Sequence, residues 1–156
     1  MKYRTVAETF AIAAIALLAL GIAPTARAAD KGCTNYTLFG TFAYTTVGSI
    51  VAAPLPPIIG PYADVGTMAF DGKGGVTYTF AASQNGNVGP GTATGTYTVN
   101  PDCTGTFTQV TPMFTSHYSF VIDAGDAELQ AICQDPGAVI TRVARRQFAL
   151  GDWRNF

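Results

Sequence analysis

The chain carries one histidine, His117, and charged residues make up only 12 % of it. With three cysteines and one histidine there is no ordinary ligand set for zinc, which draws four donors from Cys, His and carboxylate. A Ser-His-Asp arrangement would have to use His117, and no nucleophile-elbow sequence is present. Two glycine-rich segments, Asp71-Gly72-Lys73-Gly74-Gly75 and Asn85-Gly86-Asn87-Val88-Gly89-Pro90-Gly91, lack the following helix and the lysine-serine pair of a phosphate loop. They therefore do not support nucleotide binding. No basic block precedes the C-terminal strand, which argues against a nucleic-acid partner. Beyond the N-terminal stretch no segment sustains a 3.6-residue period between caps, so helices are not expected.

The long apolar run from Phe10 to Ala23 follows Lys2 and Arg4 and precedes Pro24 and Ala26-Arg27-Ala28. A positive n-region, an apolar h-region and an A-x-A site read as a cleavable signal peptide over residues 1–28. A spanning helix needs about 20 apolar residues, more than this run supplies. The expected product is a single domain over residues 29–156, secreted or periplasmic, with no membrane attachment after cleavage. It keeps six basic and nine acidic residues, so its net charge is 6 − 9 = −3. Cys33, Cys103 and Cys133 remain; in an oxidising compartment two are expected to pair and one to be left over. A lipoprotein reading of Cys33 is disfavoured by the charges on Asp30 and Lys31 just before it.

From Tyr36 the pattern is period two, rich in Phe, Tyr, Val and Thr and broken by turn residues, as strands require. The segments are Tyr36–Val47, Ala63–Asp71, Val76–Ala81, Thr92–Val99, Cys103–Val110, Met113–Asp123, Ala127–Cys133 and Ala138–Phe148. Turns are expected at Asp71–Gly75, Asn100–Asp102, Asp123–Asp126 and Gln134–Gly137, with a longer loop over Asn85–Gly91. Eight strands in a meander hide their edges best by closing into an antiparallel up-and-down barrel; a two-sheet β-sandwich is the alternative. The first connection, Gly48–Pro61, is apolar and holds Pro54, Pro56, Pro57 and Pro61. Exposed apolar loops are costly, so it should fold across the barrel mouth as a plug or as a lid over a cavity.

Gly40-Thr41-Phe42-Ala43-Tyr44, Asp71-Gly72-Lys73-Gly74 and above all Gly95-Thr96-Tyr97-Thr98-Val99-Asn100-Pro101-Asp102-Cys103-Thr104-Gly105-Thr106 resemble a widespread group of small secreted bacterial proteins. Asp135–Thr141 and Ala144-Arg145-Arg146-Gln147 are similar to that group's closing strand. The resemblance implies a lipocalin-like or allene oxide cyclase-like barrel, brings no catalytic residue, and implies that Cys33 and Cys103 pair. Cys133 departs from the group's pattern. Meander topology agrees with that pairing. Cys33 precedes strand one and Cys103 begins strand five, at one barrel end, whereas Cys133 ends strand seven at the other. A disulfide needs Cα atoms within about 7 Å.

Phe42, Tyr44, Tyr78, Phe80, Tyr97, Phe107, Tyr118 and Phe120 are expected to face the interior and to be the ligand-binding candidates; Leu38, Phe70 and Phe114 are further interior positions. Aromatic walls with phenolic hydroxyls suit an apolar small molecule. On the last strand Arg142 and Arg146 share one face and Arg145 takes the other; Arg145 is included with the binding candidates. His117 is expected to point outward. Asp123, Asp126 and Glu128 form an acidic turn, read as solvated. No metal and no cofactor is expected, and no catalytic residue is assigned. The leading function is binding of a small apolar ligand; a barrel cyclase or isomerase and a structural protein with a filled core are the alternatives. An interior opening of several hundred Å³ would separate a binder from a filled core.

Overall fold

A computed structural model describes residues 32–52, 59–123, 125 and 128–147. The segment 1–28 expected to be a signal peptide, residues 53–58 of the proline-rich connection, Asp126 of the acidic turn and the C-terminal residues from 148 onward lie outside the described residues.

Eight strands form a closed antiparallel barrel in which each pairs with its sequence neighbours and β8 returns to β1. They are β1 (Gly40–Ile50), β2 (Gly60–Phe70), β3 (Gly75–Gln84), β4 (Asn87–Val99), β5 (Thr104–Val110), β6 (Thr115–Ile122), β7 (Glu128–Cys133) and β8 (Ala138–Arg146). Closure leaves no edge to aggregate. The side-chain alternation is sharp: on β1 Phe42, Tyr44 and Thr46 are buried, while Thr41's neighbour Ala43 and then Thr45 and Val47 are exposed.

Several local expectations change. Residues 35–38 form a short 3₁₀ turn instead of the start of strand one, and it plugs one barrel end with Leu38 fully buried. The Tyr97 hydroxyl donates to Asn35 O at 2.9 Å, and Val99 N–H donates to Asn35 Oδ1 at 2.8 Å. Arg146 donates to the carbonyls of Thr37 and Phe39. The Cys33–Cys103 disulfide lies at this end, with Cα atoms 5.0 Å apart. Cys133 is free and buried.

The expected loop Asn85–Gly91 is a two-residue hairpin turn, because Gln84 pairs directly with Asn87. Asn85 and Gly86 take φ values of 48° and 85°, the two positive values that a type I′ turn needs and that Asn-Gly supplies. β4 therefore starts at Asn87 and carries Pro90 within it. Phe114, expected inside strand six, sits in the β5–β6 turn. There the Thr111 hydroxyl donates to Phe114 O at 2.9 Å and accepts from Phe114 N–H at 3.1 Å.

Inward glycines make room for aromatic rings on neighbouring strands, a close approach that leaves no space for a side chain. A Cβ on Gly105 would run into the Phe120 ring and the Thr98 carbonyl, and one on Gly91 into the Phe80 ring. Gly105→Ala is expected to cost about 2 kcal/mol through displacement of Phe120. A lowered urea midpoint at unchanged slope would show it; an unchanged midpoint would contradict this packing.

Candidate functional site

The end opposite the disulfide holds an open cavity. A cavity of about 500 Å³ is walled there by Ile50, Tyr62, Gln84, Met113, Phe114, Ile140 and the Asp135–Ala138 turn. Gln109, Tyr118 and Cys133 also line it. Eight strands enclose enough space for one small ligand only where some inward side chains are small or absent. Here Ala52, Ser116, Gly137 and Ala138 are the small residues of the cavity wall.

Beneath the cavity lies a buried polar layer. Asp64, Thr46 and Arg142 are cross-strand partners at one level of β2, β1 and β8. Arg142 is flanked by the small residues Ala131 across the strand and Ala144 along it, and its side chain extends from β8 to β5. Its Nε donates to Thr46 Oγ1 at 2.7 Å, and one terminal nitrogen donates to Gln109 Oε1 at 2.8 Å. That nitrogen is also 3.6 Å from Asp64 Oδ2, with both side chains fully buried. The Tyr62 hydroxyl donates to the same carboxylate oxygen at 2.7 Å.

Aromatic faces complete the surroundings of the guanidinium. Its carbon is 4.2 Å from the Tyr44 ring centroid, 4.9 Å from Tyr118, 5.7 Å from Phe107 and 5.8 Å from Tyr78. Such cation–π contacts strengthen when water is excluded. Burial pushes the Tyr118 phenol up to about 12, against the opposing pull of Arg142. Burial raises Tyr44, Tyr62 and Tyr78 further still, so all four hydroxyls are neutral at physiological pH. Among the described residues, three buried side-chain atoms make no hydrogen bond of ordinary length: the second terminal nitrogen of Arg142, Asp64 Oδ1 and the Tyr44 hydroxyl, the last of which still interacts with the Asp64 carboxylate.

The expected binding residues thus divide. Tyr118 lines the cavity; Tyr44, Tyr78 and Phe107 surround Arg142 one layer below. Phe42 and Tyr97 pack edge-on to Phe70 towards the plugged end, and Phe120 stacks on Phe107. Phe80 is half-buried against the core. Arg145 requires correction: it points outward, 75 % exposed, and pairs with Glu128 at 2.5 Å. The interior arginine is Arg142. It shares its phase with buried Ile140 and Ala144, whereas Arg145 shares that of exposed Val139 and Val143. Asp64 and Gln109 went unread for the same reason. Their phase with Met68 and Phe70, and with Phe107, was the available signal.

His117 does face outward, with Nδ1 2.7 Å from Asp135 Oδ1. Its backbone N–H donates to Asp135 Oδ2 at 2.9 Å, and the Cys133 thiol approaches that oxygen at 3.5 Å. Burial raises the Cys133 thiol. Burial also raises the Asp135 carboxyl, but hydrogen bonds from the His117 ring and backbone outweigh it and hold the group below the ordinary carboxylate range. A carboxyl lowered in this way stabilises the fold above its unfolded pKa, and the contribution is lost as pH falls through the lowered folded value. His117→Ala is accordingly expected to be less stable than the parent at neutral pH. The deficit should shrink once pH drops through the Asp135 range. Urea midpoints across pH would check this, and a pH-independent difference would contradict it.

No family model matches the chain, and no curated protein sequence matches it. Its backbone does match solved barrels. A de novo designed fluorescence-activating β-barrel aligns with a TM-score of 0.50 at 12 % identity, over 70 % of this chain and 93 % of that one. EF1p2_mFAP2b, solved bound to DFHBI, aligns with a TM-score of 0.52 at 13 % identity, over 71 % and 94 % respectively. What is shared is the fold. At such identities the likeness extends to the closed barrel and not to any residue of the site.

Proposed function

We propose that this protein is an exported carrier or receptor for a small, mainly apolar molecule held in the open end of the barrel. The observation that carries the reading is the cavity of about 500 Å³, lined mainly by apolar side chains with Gln84, Gln109 and Asp135 among them. Pockets that bind small molecules have this build: mostly apolar walls with a few convergent polar groups that fix orientation. Two neighbours in fold support it as analogy, since one is a fluorescence-activating barrel and the other holds DFHBI. Export is supported by the N-terminal pattern and by the Cys33–Cys103 disulfide, a bond that persists in oxidising compartments.

Titration with Nile red, an uncharged dye that brightens in apolar surroundings, is the test. Saturable binding in the roughly micromolar range is expected for a cavity of this size. Ala138→Trp, which puts an indole into the cavity wall, should weaken binding at least about tenfold while leaving the melting temperature near the parent's. Native mass spectrometry of protein from its own host should show a co-purifying mass. Absence of dye binding by the folded parent, or binding indifferent to Ala138→Trp, would overturn the reading.

A further inference from the structure

We infer that the ligand carries an uncharged carbonyl group, whose oxygen accepts hydrogen bonds from the Gln109 amide and the Tyr118 hydroxyl inside the cavity. This deepens the ligand-binding reading above and rests on it.

Both side chains line the cavity, and both are otherwise enclosed, Gln109 being 3 % and Tyr118 4 % exposed. They belong to the inward phases of β5 and β6. In the register Gln109 faces Ser116 and Phe107 faces Tyr118, so the two residues are diagonal neighbours on one inner face. Long side chains reach each other at that spacing.

The Gln109 carboxamide has one way round. Its Oε1 accepts from Arg142 at 2.8 Å, and turning the amide over would set N–H groups against N–H groups. That leaves Nε2 and its two protons, which make no hydrogen bond of ordinary length to a described residue; nor does the Tyr118 hydroxyl. Neither atom is sealed away like those of Tyr44, Asp64 and Arg142. Each keeps accessible surface, and on residues this enclosed that surface opens on the cavity. Tyr118 stays protonated, since burial pushes its phenol up to about 12, and is a second donor. Tyr62, the other phenol in the wall, gives its proton to Asp64. A donor left unpaired in an apolar cavity costs free energy that a bound acceptor recovers.

Two neighbouring donors match the two lone pairs of one carbonyl oxygen. Charge selects against a carboxylate in that place. Asp135 is the charged side chain among the described residues of the wall, and Arg142 and Asp64 cancel in the layer beneath. An anionic acceptor would be buried beside a carboxylate with no basic side chain lining the cavity, which costs far more than burying a hydrogen-bonded neutral group.

Three compounds on one ring system isolate the head group in competition with Nile red. Acetylnaphthalene is the ketone, isopropenylnaphthalene has its shape with a methylene in place of the oxygen, and naphthoate is the anionic acceptor. The dye's own affinity is measured for each variant. At about pH 8, where naphthoate is ionised, the parent should bind acetylnaphthalene at least roughly tenfold more tightly than naphthoate. Tyr118→Phe keeps the ring beside Arg142 and removes only the hydroxyl. It should weaken acetylnaphthalene about fivefold and isopropenylnaphthalene less than about twofold, the loss of one net hydrogen bond. Gln109→Met should show the same selective loss; if it fails to fold because Arg142 loses an acceptor, Tyr118→Phe decides. Equal weakening of ketone and alkene by Tyr118→Phe, or naphthoate as tight as the ketone in the parent, would overturn the inference while leaving the binding reading intact. Failure of Nile red and all three compounds to bind would remove both.

Discussion

Replacing Cys33 and Cys103 together by alanine is expected to lower the unfolding free energy by about 4 kcal/mol. The bond spans 70 residues of sequence. Closing a loop of that length removes conformational freedom from the unfolded chain, by an amount that grows only slowly with length. The folded state loses little in return. The 3₁₀ plug is independently tied by Tyr97 and Val99 to Asn35 and by Arg146 to Thr37, and Cys33 N–H donates to Pro101 O at 3.1 Å. The variant should therefore fold to the same barrel, with unchanged far-ultraviolet circular dichroism and a much lower urea midpoint. A loss under about 1 kcal/mol would mean that these plug contacts already constrain the unfolded chain near its N-terminal region.

Arg142→Met is expected to cost about 4 kcal/mol, because it leaves the Asp64 carboxylate buried without its counter-charge. Asp64 would keep the single hydrogen bond from Tyr62. Removing both charges, with Asp64→Asn and Arg142→Met together, should recover most of the loss, since a neutral pair of similar volume costs little desolvation. The double-mutant cycle measures this coupling directly. A double variant no more stable than Arg142→Met alone would assign the loss to the broken aromatic cage of Tyr44, Tyr78, Phe107 and Tyr118 instead of to charge. The buried pair thus lies one layer beneath the open cavity, with no exposed atom of its own.

How much of this was legible depended on whether a pattern had one reading or two. The period-two runs Val76–Ala81 and Thr92–Val99 put aromatics on one side and threonines on the other, so strand and inward face followed at once. On Ala138–Arg146 both phases are mixed: Ile140, Arg142 and Ala144 against Val139, Thr141, Val143 and Arg145. Nothing local says which phase is inside, because the choice is set by register with β1 and β7. The turn at Asn85–Gly86 was hidden by the glycines and proline after it, which a long hairpin tolerates as strand once its neighbour pairs with them.

The sequence by itself determined the all-β class, the eight-strand count, the turns at Asp71–Gly75 and Gln134–Gly137, and which cysteine stands apart. Each of these follows from short-range rules of alternation, turn chemistry and strand order. Tertiary structure alone decided that Arg142 enters the barrel, that Asp64 and Gln109 meet it, and that the opening lies over them. Those residues are 33 to 96 positions apart in their contacts, and no local preference couples them. Barrel closure fixes one register around the whole ring, and the register brings the buried charges to a single level.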